Sequence, residues 1–321
     1  MMLIRAGAFL VGLCALTGAV SAQTYPSRNI TLIIPFAAGG SNDIVGRTVG
    51  RKLAEAFGQP VLVENRPGAG GVIGAAAAAA APPDGYTLLL VSSTFTINPA
   101  VKKSMPFDTV RDFTPVAFIA RSPLLVTASE MLGVTSAKEL FDLARSMPGK
   151  ITYASSGPGS INQISAELIA LSAGIKLLHV PYKGGAPALN DLLGGHVDIY
   201  VSSLPQVLSL ARSGQAKALA VTSLKRTPLL PDVPTLDESG IHGFDSSSWW
   251  GIVGPAGMPA AVVAALNAQV GNVVTSPDVR KVLANEGADT ENMTPQQFSD
   301  LMRAETQRWI RVAHEANISI D

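Results

Sequence analysis

Two stretches of this chain join a strand, a glycine-rich turn and a helix start, and both are suited to holding an anion. In the first, an apolar run ending in Ile33-Ile34 leads into Pro35-Phe36-Ala37-Ala38-Gly39-Gly40-Ser41-Asn42-Asp43. In the second, Ile151-Thr152-Tyr153-Ala154 leads into Ser155-Ser156-Gly157-Pro158-Gly159-Ser160-Ile161-Asn162. The first backbone N–H groups of a helix have no partner inside it, and the helix dipole favours negative charge there. One turn in each half of the molecule could grip a small carboxylate from both sides. Phe36, Gly39, Gly40, Ser41 (read as the N-cap) and Asp43 form the first candidate set. Ser155, Ser156, Gly157, Ser160 and Asn162 form the second.

Three more segments carry candidate groups. Ser92, Ser93, Thr94, Phe95 and Asn98 lie in a hydroxyl-rich stretch after a strand, read here as a polar loop. Hydroxyls donate to a carboxylate without bringing a charge. Tyr182 and Lys183 bring a phenol and a cation to another strand end. Asp198 could hold a ligand amine or bond backbone N–H groups. Of Trp249 and Trp250, one is read as a cleft wall and the other as core.

Other chemistries find little support. No Gly-x-Ser-x-Gly elbow occurs. His179, His196, His242 and His314 share no metal-ligand spacing, and His179 reads as structural. Gly68-Ala69-Gly70-Gly71-Val72-Ile73-Gly74 resembles a dinucleotide fingerprint with its last glycine one residue late. No catalytic residue, metal or cofactor is expected. A formal net charge of zero gives no basic nucleic-acid footprint. The single cysteine, Cys14, lies in an N-terminal segment that reads as a signal peptide: Arg5, an apolar run, then Val20-Ser21-Ala22. Cleavage near Ala22 would leave a cysteine-free exported chain suited to a bacterial periplasm.

Roughly 300 residues then remain, enough for two domains. Strands are expected at Thr31–Pro35, Val61–Glu64, Thr87–Val91, Thr114–Ile119, Leu124–Thr127, Ile151–Ala154, Leu177–Val180, Asp198–Val201, Ala216–Thr222 and Trp250–Val253. Helices are expected at Asp43–Phe57, Gly71–Ala80, Ser136–Met147, Asn162–Ala173, Pro187–Leu193, Pro205–Arg212, Ala260–Thr275 and Pro295–Ala316. This alternation predicts an α/β protein with two doubly wound domains and a ligand cleft between them. The division expected is a signal segment at 1–22, a first domain of 23–121 plus 226–321, and a second of 122–225. The chain should cross outward at Ala120–Leu125 and return within Val221–Pro231.

The same motifs resemble the Bug family, the periplasmic solute receptors of tripartite tricarboxylate transporters. The resemblance spans nearly the whole mature chain. It is carried by Pro35-Phe36 through Asp43, Val63-Glu64-Asn65-Arg66-Pro67-Gly68-Ala69-Gly70-Gly71, Pro83-Asp84-Gly85-Tyr86 and Val180-Pro181-Tyr182-Lys183-Gly184. Leu192-Leu193-Gly194-Gly195-His196-Val197-Asp198 and Gly254-Pro255-Ala256-Gly257-Met258-Pro259 add to it. It implies a type II periplasmic-binding-protein fold that closes on a carboxylated ligand: a di- or tricarboxylate, an amino acid or an aromatic acid. It further implies membrane transporter subunits as partners and a monomeric receptor. By motif match the ligand would meet Phe36 to Asp43, Ser92 to Asn98 and Ser155 to Asn162. Phe95 stands near where the family often has histidine, which suggests an aromatic or short aliphatic acid. Two alternatives share the same cleft: a sensor subunit, and an exported serine hydrolase.

Overall fold

The computed structural model describes residues 25–182 and 184–319. The expected signal segment and Lys183 lie outside the described residues. Strand β1 (Ile30–Ile34) leads through the first glycine turn to α1 (Ser41–Phe57), followed by β2 (Val61–Asn65), α2 (Val72–Ala79), β3 (Thr87–Ser92) and α3 (Ser93–Val101). A 16-residue strand, β4 (Phe113–Ala128), opens the second half. There follow α4 (Ala137–Ser146), β5 (Thr152–Ser155), α5 (Ile161–Ala173), β6 (Leu178–Pro181), α6 (Gly185–Leu193), β7 (Ile199–Ser203), α7 (Leu204–Ser213) and β8 (Lys217–Val221). The chain returns as β9 (Ser247–Pro255), then α8 (Ala260–Val274), α9 (Pro277–Asn285), β10 (Asp289–Thr290) and α10 (Pro295–Glu315).

The strands run in the order β2-β1-β3-β9-β4-β7-β5-β6, with β8 and β10 also pairing β4. The outer groups are parallel: β2-β1-β3 on one side and β7-β5-β6 on the other. Strands β9 and β4 join them through antiparallel pairs. The two strands expected at Thr114–Ile119 and Leu124–Thr127 are one. Residues Arg121 to Pro123 stay laddered to β9, and from Leu124 onward β4 pairs β7 instead. Pro123, which lacks an N–H, stands where the partner changes, a place a strand tolerates proline.

Each half covers both faces of its strands, as parallel sheets require. Leu32, Ile34, Val45, Val49, Leu266 and Val270 fill one side of the first half, and Ile33, Leu89, Phe118, Trp249 and Phe298 the other. Leu124, Val126, Phe141, Tyr153 and Ile169 fill one side of the second, and Ala154, Leu192 and Tyr200 the other. Leu236, Ile241 and Phe244 join the second half's core although they lie beyond Val221–Pro231. A separate cluster ties the halves together: Ile97 and Val101 of α3, Ile164 of α5, and Trp309, Val312 and Ala313 of α10. Helix α10 starts as its sequence predicts, with Thr294 and Gln297 forming a capping box and Pro295 in the first turn.

Two helices stand where none was expected. Ser93–Val101 is a helix rather than a polar loop, and Pro277–Asn285 follows Ser276 as N-cap. The helix α3 packs against α10, so tertiary contact overrides its weak, β-branched sequence and Pro99.

Candidate functional site

Between the halves lies a cleft of about 160 Å³ at the carboxyl ends of β3 and β7. The first half supplies Ser41 and Asn42 of α1, Ser92, Ser93 and Thr94 at the start of α3, and Ser248, Trp249 and Trp250 of β9. The second supplies Ile161, the first residue of α5, with Ser203 and Pro205 at the start of α7. Ser122 and Glu286 complete the lining. Four helix starts therefore converge on one cavity. Among the described residues no lysine or arginine lines it. Larger hollows, such as the 680 Å³ groove beside Lys102 and Arg111, lie within one half.

The tryptophan walls are fixed by their ring N–H groups. Trp250 Nε1 donates to Asn42 Oδ1 at 2.9 Å, and Trp249 Nε1 to Glu305 Oε2 at 2.7 Å. Both rings line the cleft while both are buried.

The first turn is built on Gly40, not Ser41, as N-cap; Gly40 is extended, and no side chain caps the helix. Gly39, at φ 88°, turns its N–H onto the Asp43 carboxylate at 2.9 Å. Arg47 Nε and Asn65 Nδ2 also donate to Asp43, at 2.9 and 2.8 Å. The N–H groups of Asp43 and Ile44 return to the Gly40 carbonyl. Those of Ser41 and Asn42 have no acceptor within the helix. Desolvation works against the Asp43 charge, but Gly39, Arg47 and Asn65 outweigh it and hold the carboxyl below its ordinary range. A lowered folded-state value gives stability that is present above the unfolded value and is lost as pH falls through the folded one. Replacing Asp43 with alanine is expected to cost about 0.5–2 kcal/mol, as for loss of a helix cap. Urea denaturation should find that difference at neutral pH and see it shrink below about pH 4.

In the second turn the hydroxyls are engaged internally. Ser155 is fully buried, its Oγ 2.7 Å from His179 Nε2. Ser156 donates to Asn162 Oδ1 at 2.5 Å, and Asn162 Nδ2 to the Val201 carbonyl at 2.8 Å. Ser160 is the N-cap of α5 and accepts the Gln163 N–H. The N–H groups of Ile161 and Asn162 remain without a helical acceptor.

Residues 45–318 match the family described as tripartite tricarboxylate transporter family receptor. BugT of Bordetella pertussis is 36% identical over 94% of this chain and 93% of its own. The chain belongs to this receptor family. Its fold is shared by two solved proteins of Rhodopseudomonas palustris. Rpa4515, solved with adipate, is 36% identical with a TM-score of 0.78, covering 92% of this chain and 100% of that one. MatC, solved with bound malate, is 33% identical with a TM-score of 0.74, covering 90% and 99%. The two-domain α/β class expected of the sequence is thus the class of this receptor. No helix among the described residues is long and apolar enough to cross a membrane.

Of the residues singled out in the sequence, Ser41, Ser92, Ser93 and Thr94 line the receptor's cleft. Others support it from behind. Phe36 offers its carbonyl to Asn65, and Asn98 donates to the Gly70 carbonyl. Phe95 does not meet the cleft. Helix α3 starts at Ser93, so Phe95 falls on its core side, stacked on Phe107 at 6.0 Å and edge-on to Phe113 at 5.0 Å. Asp198 sits at the amino end of β7, opposite the cleft, and accepts the N–H and hydroxyl of Thr152, both at 2.7 Å. Tyr182 gives its hydroxyl to Asp191 at 2.6 Å. Asn42 and Ile161, also in the lining, fall within the spans that the motif match implies; the remaining lining residues, Ser122, Ser203, Pro205, Ser248 and Glu286, were not singled out and come from four separate segments.

Proposed function

We propose that the cleft binds a short aliphatic dicarboxylate, with one carboxylate at the converging helix starts, and that the protein hands it to a membrane transporter from the periplasm. The observation that carries this reading is the convergence of four helix starts on one cavity that, among the described residues, no lysine or arginine lines. Ligands of that class accompany both solved relatives, adipate on Rpa4515 and malate on MatC. Trp249 and Trp250, rather than Phe95, provide the apolar wall for the carbon chain. A micromolar complex needs about 8 kcal/mol. Charge-assisted hydrogen bonds at roughly 1.5–3 kcal/mol each can supply it.

The reading includes two lobes, 25–123 with 247–319 and 124–246. Core membership of Leu236 and Phe244, and the change of partner along β4 at Pro123, support those limits. It also includes a signal peptide removed near Ala22, a monomer, and no hydrolase activity. Against a hydrolase, the Ser155 hydroxyl is fully buried, and the far nitrogen of His179 faces the Gln163 amide rather than a carboxylate. Calorimetry with adipate, malate, citrate and benzoate tests the reading. Micromolar binding of a short diacid, with citrate and benzoate much weaker, is the expected result. Failure of every carboxylate to bind, or turnover of an ester substrate, would overturn it.

A further inference from the structure

The two glycine turns are braced alike. Asp43, the third residue of α1, reaches back to the N–H of Gly39, just before the N-cap. Gln163, the third residue of α5, reaches back in the same way. Its Oε1 accepts the Gly159 N–H at 2.7 Å. Each brace engages the N–H before the cap and leaves the first two helical N–H groups without an acceptor in the helix.

What stands behind the braces differs. Asp43 is backed by Arg47 and Asn65. Gln163 is backed by His179, whose Nδ1 lies 3.3 Å from Gln163 Nε2. A neutral imidazole with its hydrogen on Nε2 satisfies both contacts, donating to Ser155 Oγ and accepting from the amide. Protonation places a hydrogen on Nδ1. The amide must then turn its oxygen toward the ring, which takes that oxygen from Gly159.

We propose that Gln163 and His179 are positioning residues for the second turn, and that protonation of His179 releases Gly159 and loosens the receptor's hold on a carboxylate. The effect on carboxylate affinity rests on the reading of the cleft given above; the release of Gly159 does not. The groups facing His179 are few. Tyr153 of β5 stacks on its ring at 4.8 Å, with its hydroxyl bonded to Glu167 of α5. Burial holds the Glu167 carboxyl above its ordinary range. Lys176 and Tyr182 flank β6 in sequence, Tyr182 being tied to Asp191. Burial also holds the imidazole below its ordinary value, so the neutral, bracing form prevails at neutral pH.

The test follows the Gly159 amide by NMR from about pH 7.5 to about pH 4.5, the span in which histidines titrate. The Gly159 signal should move with the His179 ring signals in the wild type and stay flat in His179→Asn. In Gln163→Glu the carboxylate accepts from Gly159 and a protonated imidazole together. His179 should then titrate at higher pH while Gly159 stays put. Calorimetry with adipate and malate runs in parallel. Acidification should weaken wild-type binding about threefold to tenfold more than binding by His179→Asn, the loss of one neutral hydrogen bond. The probe's own titration is common to both proteins. A Gly159 amide indifferent to His179, or a His179 that stays neutral throughout, would overturn the proposal. If neither acid binds at any pH, the cleft reading fails and the Gly159 titration still decides this one.

Discussion

Thr94→Asp is expected to weaken adipate or malate binding by about a hundredfold, with no loss of stability. Thr94 is the second residue of α3 and lines the cleft half-exposed. An acidic residue in the first turn complements the helix dipole and stabilises by about 0.3–1 kcal/mol. For a carboxylate bound about 5 Å from that charge, repulsion at an effective dielectric of 20 would cost about 3 kcal/mol. Thr94→Asn, similar in shape and uncharged, should keep most of the affinity. Calorimetry reads the first effect and thermal melting the second. Undiminished binding by the aspartate variant would place the carboxylate elsewhere.

The largest stability effect is expected at Glu305, on α10 behind the cleft. Its carboxylate accepts from Trp249 Nε1 at 2.7 Å and Thr96 Oγ1 at 3.1 Å, with Arg308 Nη2 at 3.3 Å. Alanine there strands the buried indole N–H of Trp249 and takes one partner each from Thr96, which keeps the Ser93 carbonyl, and Arg308, which keeps the Asp245 carbonyl, at a cost of about 2–4 kcal/mol. Burial pushes the Glu305 carboxyl above its ordinary range, although Arg308, Trp249 and Thr96 pull the other way. A raised folded value means stability that is complete below the unfolded value and declines as pH rises through the folded one. Glu305→Ala should therefore cost more at about pH 5 than at about pH 8 in urea denaturation. A cost independent of pH would mean that Glu305 carries no raised value.

Much of the architecture was legible because apolar runs and glycine turns are local signals. The helix start at Thr294-Pro295 and the strand at Thr87–Val91 were placed within a residue or two. Helix α3 was not, because Ser93 to Pro99 has poor helix propensity and is held by packing on α10. The start of α9 did carry a readable signal, Ser276 before Pro277. At the site, the loops singled out in the sequence lie beside the cleft, and several of their side chains are engaged within the protein. Ser155 is a buried partner of His179 and Ser160 caps α5, so their hydroxyls serve the turn itself. Asp198 and Phe95 look polar and apolar enough to serve a ligand. Which strand end or helix side they occupy depends on register that no local pattern reveals. Ser203 and Ser122 meet only because β4 changes partner beside them.

That unbroken β4 also governs how the two halves can move. They share a continuous laddered ribbon, so relative rotation must be absorbed by bending and twisting paired backbone. The joint is a flexure rather than a pivot. Its compliance concentrates where β4 changes partner, between Pro123, the last residue laddered to β9, and Leu124, the first paired with β7. A flexure has a restoring torque and a rest angle. The resting gape of the cleft is therefore a built-in spring setting, and a ligand need only deflect it.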